Sequence, residues 1–409
     1  MRVAYYSPLP PQQSGIADYS ALLLPALRRH VDVAVARRRR PLFRKTGVAL
    51  YHVGNDPEAH GWIVDALRRR PGVVVLHDFV LHHLVAGTTL GRGDAPAYVR
   101  AMERAAGPGG RLLAEQVAAG AAPPPWETRA EEFPLVDEVL DHATALIVHS
   151  RYVEDLARER GYARRISRIP HPVWSAPGTE AEAVGGAPLV GSFGHVNPSK
   201  RVPQLLQAFS RLRSSHAAAR LVLAGPVSPW FELEPRIAEL ELDDAVLRPG
   251  YVDEARLWSL MAACDVVVAL RAPTMGETSG AALRALALGK PLVVSDVGWF
   301  AELPEDVAVR IPVDVGEIEA LTAALEGLLA DDARREEMGE AARAYVRTHH
   351  DLERVAEAYA SALERAAGGE AVADALLGEI AQAAADVGIG ADCPELAEIA
   401  GRLRETDAV

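Results

Sequence analysis

The chain has 409 residues, of which 49% are hydrophobic and 24% are charged, and its formal net charge is -13. This length is too great for one compact core and predicts two domains, while the acidic balance argues against a nucleic-acid-binding protein. The two cysteines, Cys264 and Cys393, exclude a disulfide framework and favour a reducing, cytoplasmic compartment.

The first 171 residues alternate short apolar runs with helical patterns, which is typical of parallel strands joined by helices. The start of the chain, MRVAYYSPLPP, lacks the charged and apolar regions of a signal peptide. No apolar run approaches the ~20 residues that cross a bilayer, so we expect a soluble or peripheral protein. The predicted strands of this half are Val3–Tyr6, Val31–Val35, Ala49–His52, Val73–His77 and Ala145–His149.

Residues 172–187, rich in Pro, Gly, Ala and Glu, are predicted to link the first domain to a second domain over residues 188–340. Residues 341–369 are predicted to be helical, with a long amphipathic segment over Ala341–Ala367, and residues 370–409 are predicted as a helical tail. We therefore predict an α/β protein with two doubly wound, Rossmann-like domains, which bind ligands at the carboxyl ends of their strands. The predicted strands of the second half are Leu189–Phe193, Arg220–Ala224, Val246–Leu247, Val266–Leu270, Pro291–Val294 and Ala308–Ile311.

A Gly-Glu-Thr-Ser-Gly turn within Pro273–Asp296 opens a helix of small residues that is predicted to end at Gly289. We expect the N–H groups of Thr278, Ser279 and Gly280 to face outward at the positive helix end, where an anion is favoured. A carboxylate repels phosphate, so Glu277 is predicted to accept hydrogen bonds from hydroxyl groups instead. Together these features predict a site for a sugar nucleotide.

A second candidate segment, Ser192–Phe209, contains a turn at Gly194 and a Pro-Ser-Lys loop before the next helix. Lys200 at this strand-to-helix junction can place an ammonium group over a pyrophosphate. A departing diphosphate carries two negative charges, so a second cation is expected. Arg271, at the end of a predicted strand, or Arg284 could supply it, and the spacing alone does not decide between them.

These two segments resemble the donor-site motifs of the retaining, family-four glycosyltransferases of GT-B architecture. The resemblance covers about residues 1–366 and implies that the helices of residues 341–369 cross back to the first domain. In the family a second Glu holds the nucleotide ribose, and Arg284 stands at that position here. His195 replaces the family's loop Arg, and Arg201 replaces the Gly that follows the loop Lys. The matching residues of the helix-to-strand frame are Leu283, Ala285, Leu286, Ala287, Gly289, Pro291, Val293, Val294, Ser295 and Asp296.

The resemblance also implies roles for residues outside those two segments. Gly15 lies in a loop similar to the family's glycine-rich loop over the donor phosphates, and His77 matches the histidine at the reaction centre. Tyr251 and Val252 fall where the family contacts the nucleobase.

Three polar residues of the first domain are candidates by their own placement. His52 and Asn55 follow a predicted strand and are candidate acceptor-side groups. Asp78 is expected either to orient His77 or to cap the next helix.

The basic run Arg37–Lys45 is a candidate contact with anionic lipid or with a lipid-linked acceptor at the inner membrane face, although such runs are usually solvated loops. His82 and His83 are adjacent and point apart on a helix, so no metal site is expected.

The sequence therefore predicts an enzyme that moves a hexose-type sugar, with retention, from a UDP- or GDP-linked donor to a hydroxyl acceptor without a metal. Surface glycan, glycolipid or specialised glycoside synthesis is the expected setting. The alternatives are a non-catalytic GT-B protein that binds a sugar nucleotide, or a GT-B sugar-nucleotide epimerase.

Overall fold

The computed structural model describes residues 1–12, 14–38, 47–174, 176, 178, 180–368, 378, 380–384 and 393. The chain divides into two compact units. Unit 1 comprises Met1–Pro172, Met275–Glu277 and Leu352–Val409, and unit 2 comprises Val173–Thr274 and Thr278–Asp351.

Unit 1 is built on a parallel six-stranded sheet with the order β2-β1-β3-β4-β5-β6. Its strands are β1 (Arg2–Tyr6), β2 (Asp32–Val35), β3 (Val48–Val53), β4 (Gly72–Leu76), β5 (Ala143–Val148) and β6 (Ile166–Arg168). The helices before the second sheet are α1 (Gly15–Leu27), α2 (Pro57–Arg69), α3 (His82–Thr88), α4 (Ala95–Ala118), α5 (Pro125–Thr128), α6 (Asp137–His142) and α7 (Arg151–Glu159).

The sheet of unit 1 is buried on both faces, which explains why its strands are almost continuously apolar. Successive residues of β1 enter opposite cores: Val3 and Tyr5 pack on one side, and Ala4 and Tyr6 on the other. The first of these cores is closed by α1 together with the helix Leu352–Ala367, and the second by α2, α6 and α7.

Unit 2 is built on a second parallel six-stranded sheet, with the order β12-β11-β10-β7-β8-β9. Its strands are β7 (Leu189–Phe193), β8 (Arg220–Ala224), β9 (Val246–Gly250), β10 (Val266–Ala269), β11 (Leu292–Ser295) and β12 (Val309–Ile311). Its helices are α8 (Val202–Arg213), α9 (Leu233–Glu239), α10 (Glu254–Ala263), α11 (Gly280–Leu288), α12 (Glu317–Leu329) and α13 (Asp332–His349). They pack on both faces of the sheet.

Helix α14 (Leu352–Ala367) belongs to unit 1 although the chain reaches it from unit 2. Its apolar face contributes Val355, Tyr359 and Leu363 to the core beside α1. Within the helical segment predicted over Ala341–Ala367, α13 ends at His349 and α14 begins at Leu352. The break lies where the chain passes from one unit to the other.

The predicted α/β class and the eleven predicted strands are confirmed, with ends that differ by a few residues. Sequence analysis missed β6, which has only three residues and carries Ser167 and Arg168. Such a short strand offers too few alternating positions for a pattern to emerge. Among the described helices, none has both the length and the apolar composition that crossing a membrane requires.

Candidate functional site

The topological switch point of the sheet in unit 2 lies between β7 and β10, which are neighbours in the sheet although α8, β8, α9, β9 and α10 separate them in the chain. Loops that leave the carboxyl ends of two such strands diverge and form a crevice, where open α/β sheets bind their ligands. The loop after β7 carries Gly194, His195 and Lys200, and the loop after β10 carries Arg271. The fold therefore brings these sequence-predicted residues together.

Asn197 shapes the turn that presents Lys200. Its side-chain oxygen accepts hydrogen bonds from the Lys200 N–H at 3.1 Å and from the Ser199 hydroxyl at 2.8 Å. The ammonium group of Lys200 lies over Gly194, since a Cβ built on Gly194 would be 3.5 Å from Lys200 Nζ. A Cβ on Gly225, at the end of β8, would overlap the Gly194 carbonyl, so this close approach of two loops requires glycine.

Arg271 is held against the same turn. Its guanidinium donates to the Ser199 hydroxyl at 3.3 Å, and its backbone N–H donates to the Ser295 hydroxyl at 2.9 Å. Burial and the neighbouring Lys200 charge lower the pKa of His195, which favours its neutral form. Lys200 and Arg271 thus place two positive charges around one polar loop, as expected of a site for a diphosphate.

Helix α11 begins at Gly280, with Ser279 as its N-cap. The Ser279 hydroxyl accepts a hydrogen bond from the Ala282 N–H at 3.3 Å. The expectation that the Thr278 N–H forms part of the helix end is corrected, because Thr278 lies before the cap. The first helical N–H groups, those of Gly280 and Ala281, have no acceptor within the helix. Gly289 ends the helix in a left-handed conformation with φ 70°, as predicted.

Arg284 does not extend from α11 toward solvent. Its guanidinium donates to both carboxylate oxygens of Glu254, at 3.1 and 3.2 Å, and stacks 3.6 Å from the centre of the Trp174 ring. Only 8% of its side chain is exposed. These contacts neutralise Arg284 and argue against it as the second cation at a diphosphate.

Arg201 also has a carboxylate partner. Its Nε donates to Glu317 at 2.9 Å, and a second, shorter contact joins its guanidinium to the same carboxylate. The side chain of Glu317 is 2% exposed, so the pair is largely removed from water. Of the candidate cations in unit 2, Lys200 and Arg271 are therefore the two that share one loop cluster.

The segment Met275–Glu277 belongs to unit 1. The Met275 carbonyl accepts hydrogen bonds from the N–H groups of Phe79 and Val80, at 2.6 and 3.0 Å. A Cβ on Gly276 would lie 2.8 Å from the Phe79 Cβ, and Gly276 has φ 83°. The carboxylate of Glu277 accepts from the Met275 N–H at 2.8 Å. The Glu277 turn therefore packs on the chain that follows His77, an arrangement that motif spacing alone did not indicate.

His77 follows β4 directly and lies within a cluster of buried rings. His52 Nδ1 lies 3.0 Å from His77 Nε2, and the Tyr19 ring meets His77 edge-on at 4.7 Å between centroids. Tyr19 also contacts His149 and His171. Burial, followed by the charge of neighbouring histidines, holds the pKa values of His52 and His77 well below the ordinary range. His77 is consequently neutral near pH 7.

Asp78 contacts the segment that follows β3. Its carboxylate accepts from the Asn55 N–H at 2.8 Å, and the next helix, α3, has Leu81 as its N-cap with no side-chain cap bond. The expectation that Asp78 caps that helix is therefore wrong. Asn55 in turn lies 3.2 Å from His83 and accepts from the Leu84 N–H at 3.1 Å. His52, Asn55, His77 and Asp78 thus form one polar cluster at the ends of β3 and β4.

Three further candidates lie at the surface or at a helix start. Gly15 is the first residue of α1, after the Ser14 N-cap, and a Cβ there would meet no described atom within 4 Å. Tyr251, after β9, is 62% exposed. Val252 packs at the margin of a core of unit 2.

Sequence reasoning missed several residues that build these clusters. Asn197 was recognisable from the Asn-Pro-Ser-Lys order, because Asn before Pro is a common start of a turn or helix. Tyr19 and Glu254 gave no such signal, since each acts through a distant partner.

No group of three potential metal ligands occurs among the described residues. Most of the basic run Arg37–Lys45, namely residues 39–45, lies outside the part of the chain that the structure describes.

The architecture is that of GT-B proteins. Over 89% of its length the chain superposes on sucrose-phosphate synthase from Thermosynechococcus elongatus, with a TM-score of 0.61 and 19% identity, covering 98% of that chain. It superposes equally well on Anabaena Alr3699/HepE in complex with UDP and glucose, with a TM-score of 0.61, 16% identity and 99% of that chain covered.

Residues 180–345 match the family model of glycosyl transferases group 1. A lipopolysaccharide core biosynthesis mannosyltransferase, LpcC, from Rhizobium leguminosarum is 31% identical over 195 residues, which is 46% of this chain and 54% of the relative. Glycogen synthase of Mycobacterium tuberculosis is 28% identical over 178 residues, 43% of this chain and 42% of the relative. The chain thus spans about half the length of these curated relatives.

Proposed function

We propose that the protein is a glycosyltransferase that moves a sugar from a nucleoside diphosphate to a hydroxyl acceptor. The observation that carries this proposal is that Lys200 and Arg271 lie at the same turn, around Ser199. This turn is at the switch point of the sheet in the segment that matches group 1 glycosyl transferases. Two fixed positive charges stabilise the negative charge that develops on the diphosphate as it leaves the sugar.

The donor is proposed to be a UDP- or GDP-linked hexose. Support for uridine comes from the similar Anabaena protein, whose structures contain UDP, UDP with glucose, or UDP-glucose. In this proposal the first N–H groups of α11 and Lys200 hold the diphosphate, and Glu277 accepts hydrogen bonds from sugar hydroxyls.

His77 is proposed to line the reaction centre as a neutral imidazole. A neutral ring can exchange hydrogen bonds with a sugar hydroxyl and adds no positive charge beside a developing oxocarbenium ion. We further propose retention at the anomeric carbon, no requirement for a divalent metal, and an acceptor that can be lipid-linked. In that case the basic run Arg37–Lys45 would contact an anionic membrane surface.

The proposal is tested first by donor binding. Full-length protein is screened by thermal shift against UDP-, GDP- and ADP-sugars, since a ligand at a hundred times its Kd adds about 2.7 kcal/mol to the free energy of unfolding. Lys200→Ala should abolish the shift, whereas Arg236→Ala, which removes the same charge elsewhere on unit 2, should retain it. No shift with any donor would contradict the proposal.

Transfer is tested with the binding donor and a panel of glycoside and lipid-linked acceptors. Lys200→Ala and Glu277→Ala should each lower kcat by about 10²-fold while the fold persists. The proton NMR coupling at the anomeric carbon of the product reports retention or inversion, and activity in EDTA reports the metal requirement.

One observation favours the non-catalytic alternative, a protein that only binds a sugar nucleotide. Arg284 is engaged by Glu254 and Trp174, so the family's ribose-binding carboxylate has no equivalent at that position. Donor binding without transfer to any acceptor would support this alternative. Release of free nucleotide without an acceptor would instead support an epimerase.

A further inference from the structure

Several buried histidines of unit 1 form one cluster around the carboxyl ends of its strands. A neutral imidazole ring carries one N–H and one lone pair, and its hydrogen-bond partners decide which nitrogen holds the proton. The partners of each ring therefore decide whether it can donate to a ligand or accept from one. The members of the cluster are His52, His60, His77, His149 and His171.

Backbone carbonyl groups fix the proton on Nδ1 in two of these rings. His60 Nδ1 lies 3.1 Å from the His52 carbonyl oxygen, and His149 Nδ1 lies 2.8 Å from the Ile169 carbonyl oxygen. Because a carbonyl oxygen only accepts, each Nδ1 must be the donor. These contacts leave the side chains of His52 and His77 to be decided by their contact with each other.

The rings of His52 and His77 share one hydrogen bond, with His52 Nδ1 3.0 Å from His77 Nε2. His52 Nε2 is buried and has no hydrogen-bond partner among the described residues. His77 Nδ1 likewise bonds none of the residues that the structure describes. His77 is 7% exposed and His52 is 0% exposed, so a ligand that reaches this pair meets His77.

Two arrangements of protons are possible in this neutral pair. In the first, His52 Nδ1–H donates to the lone pair of His77 Nε2, and His52 Nε2 holds a lone pair. In the second, His77 Nε2–H donates to His52 Nδ1, and His52 Nε2–H becomes a buried donor without an acceptor. Orphaned buried N–H groups are rarer in native proteins than under-satisfied acceptors. The first arrangement is therefore favoured.

We propose that His52 is a positioning residue that holds His77 as the Nδ1–H tautomer, so that His77 is a hydrogen-bond donor toward its ligand. The lone pair of His77 Nε2 is occupied by His52, and its Nδ1 carries the proton. The ring therefore has no free lone pair for a proton of the acceptor. Within the proposed function, on which this role rests, His77 donates to a sugar oxygen, and the acceptor's proton passes to another group.

Nitrogen-15 NMR of the histidine rings measures the tautomer on wild-type protein. Free neutral histidine in water favours the Nε2–H form, so the opposite form in His77 would report the contact with His52. Among the 13 histidines, His77 is assigned by the signals that vanish in His77→Gln. At about pH 7.5, the Nδ1–H form of His77 should be in at least about tenfold excess over the Nε2–H form.

Variants at position 52 test whether His52 sets this tautomer. His52→Phe keeps a ring but removes the donor, whereas His52→Asn keeps an amide N–H near the position of Nδ1. The first should shift His77 toward the Nε2–H form, and the second should restore the Nδ1–H form. The control, His82→Phe, removes a buried histidine whose ring contacts the Phe133 carbonyl and Tyr98 instead. It should leave the His77 signals unchanged.

Catalysis measures the consequence of the tautomer separately. With UDP-glucose as the probe, His52→Phe should lower kcat by about tenfold with little change in KM, because a hydrogen bond that strengthens in the transition state affects kcat. His52→Asn should recover most of that loss. Absence of both binding and turnover of every donor in wild type would count against the proposed function, while the nitrogen signals would still decide the tautomer.

Three outcomes would overturn the proposal. A proton on His77 Nε2 in wild type would show that His77 donates to His52 and presents a lone pair to its ligand. An Nδ1–H form that persists in His52→Phe would show that His52 does not set the tautomer. A changed tautomer with unaltered kcat in His52→Phe would show that donation from His77 does not contribute to transfer.

Discussion

Acidification should destabilise unit 1 through its buried histidines. Burial lowers the pKa of His60 and of His82 from 6.5 to about 4, and it holds those of His52 and His77 well below the ordinary range. In the unfolded chain these rings bind a proton as the pH falls through 6.5, whereas the folded protein does not bind one until the pH nears 4. The free energy of unfolding is therefore independent of these groups well above pH 6.5 and decreases between pH 6.5 and 4.

The magnitude follows from the width of that window. Each such histidine lowers the free energy of unfolding by about 1.36 kcal/mol for each pH unit below 6.5. At pH 5, His60 and His82 therefore each lower it by about 2 kcal/mol. Together they remove about 4 kcal/mol, and His52 and His77 add to this. Since domains are stable by only about 5–15 kcal/mol, unit 1 should approach unfolding near pH 5.

Native-state hydrogen exchange separates the two units. After correction for intrinsic rates, β4 in unit 1 should lose protection steeply between pH 6.5 and 5, while β10 in unit 2 should lose much less. His60 Nδ1 lies 3.1 Å from the His52 carbonyl, and His60→Gln can keep a donor there without titrating. In the variant, the free energy of unfolding of unit 1 should fall less steeply with decreasing pH, by about 1.36 kcal/mol per pH unit. Equal slopes for the variant and wild type would refute the reasoning.

Three further changes have defined outcomes. Gly276→Ala places a methyl group 2.8 Å from Phe79 Cβ, at a residue with φ 83°. It should lower donor affinity and reduce the free energy of unfolding, measured in urea, by about 1–3 kcal/mol. Unchanged stability would contradict this close packing of the two segments. Arg201→Gln leaves the buried Glu317 without its partner and should lower the free energy of unfolding by about 3–5 kcal/mol. Adding Glu317→Gln to this variant should restore part of the loss. If the effects of the two substitutions are additive, the pair does not interact. Asn197→Ala removes two hydrogen bonds from the Lys200 turn. It should weaken nucleotide binding, measured by calorimetry, by about 0.5–2 kcal/mol. An unaltered Kd would exclude a role for Asn197 in positioning that turn.

The strands and the main helix starts were accessible from the sequence because they depend on local patterns. Buried parallel strands are continuous apolar runs, and Ser279 before a small-residue helix is a strong cap signal. β6 and the break between α13 and α14 were not accessible in this way. The strand β6 is too short to show a period, and the break depends on which unit each half of the predicted helical segment packs against.

The candidate site, too, was predictable from the sequence only in part. The loops with Lys200 and Arg271 were predictable one at a time, because each follows an apolar strand. Their proximity depends on β7 and β10 being neighbours in the sheet order.

The sequence by itself determined the α/β class, the two sheets and the polar residues at the ends of their strands, because these follow from hydrophobic period and capping chemistry over a few residues. Only the tertiary structure decided which of the candidate cations are held by carboxylates. Arg201 and Arg284 resembled Lys200 in sequence, yet Glu317 and Glu254, which lie 116 and 30 positions away respectively, neutralise them. Pairing of charges depends on distance in space, which sequence separation does not reveal.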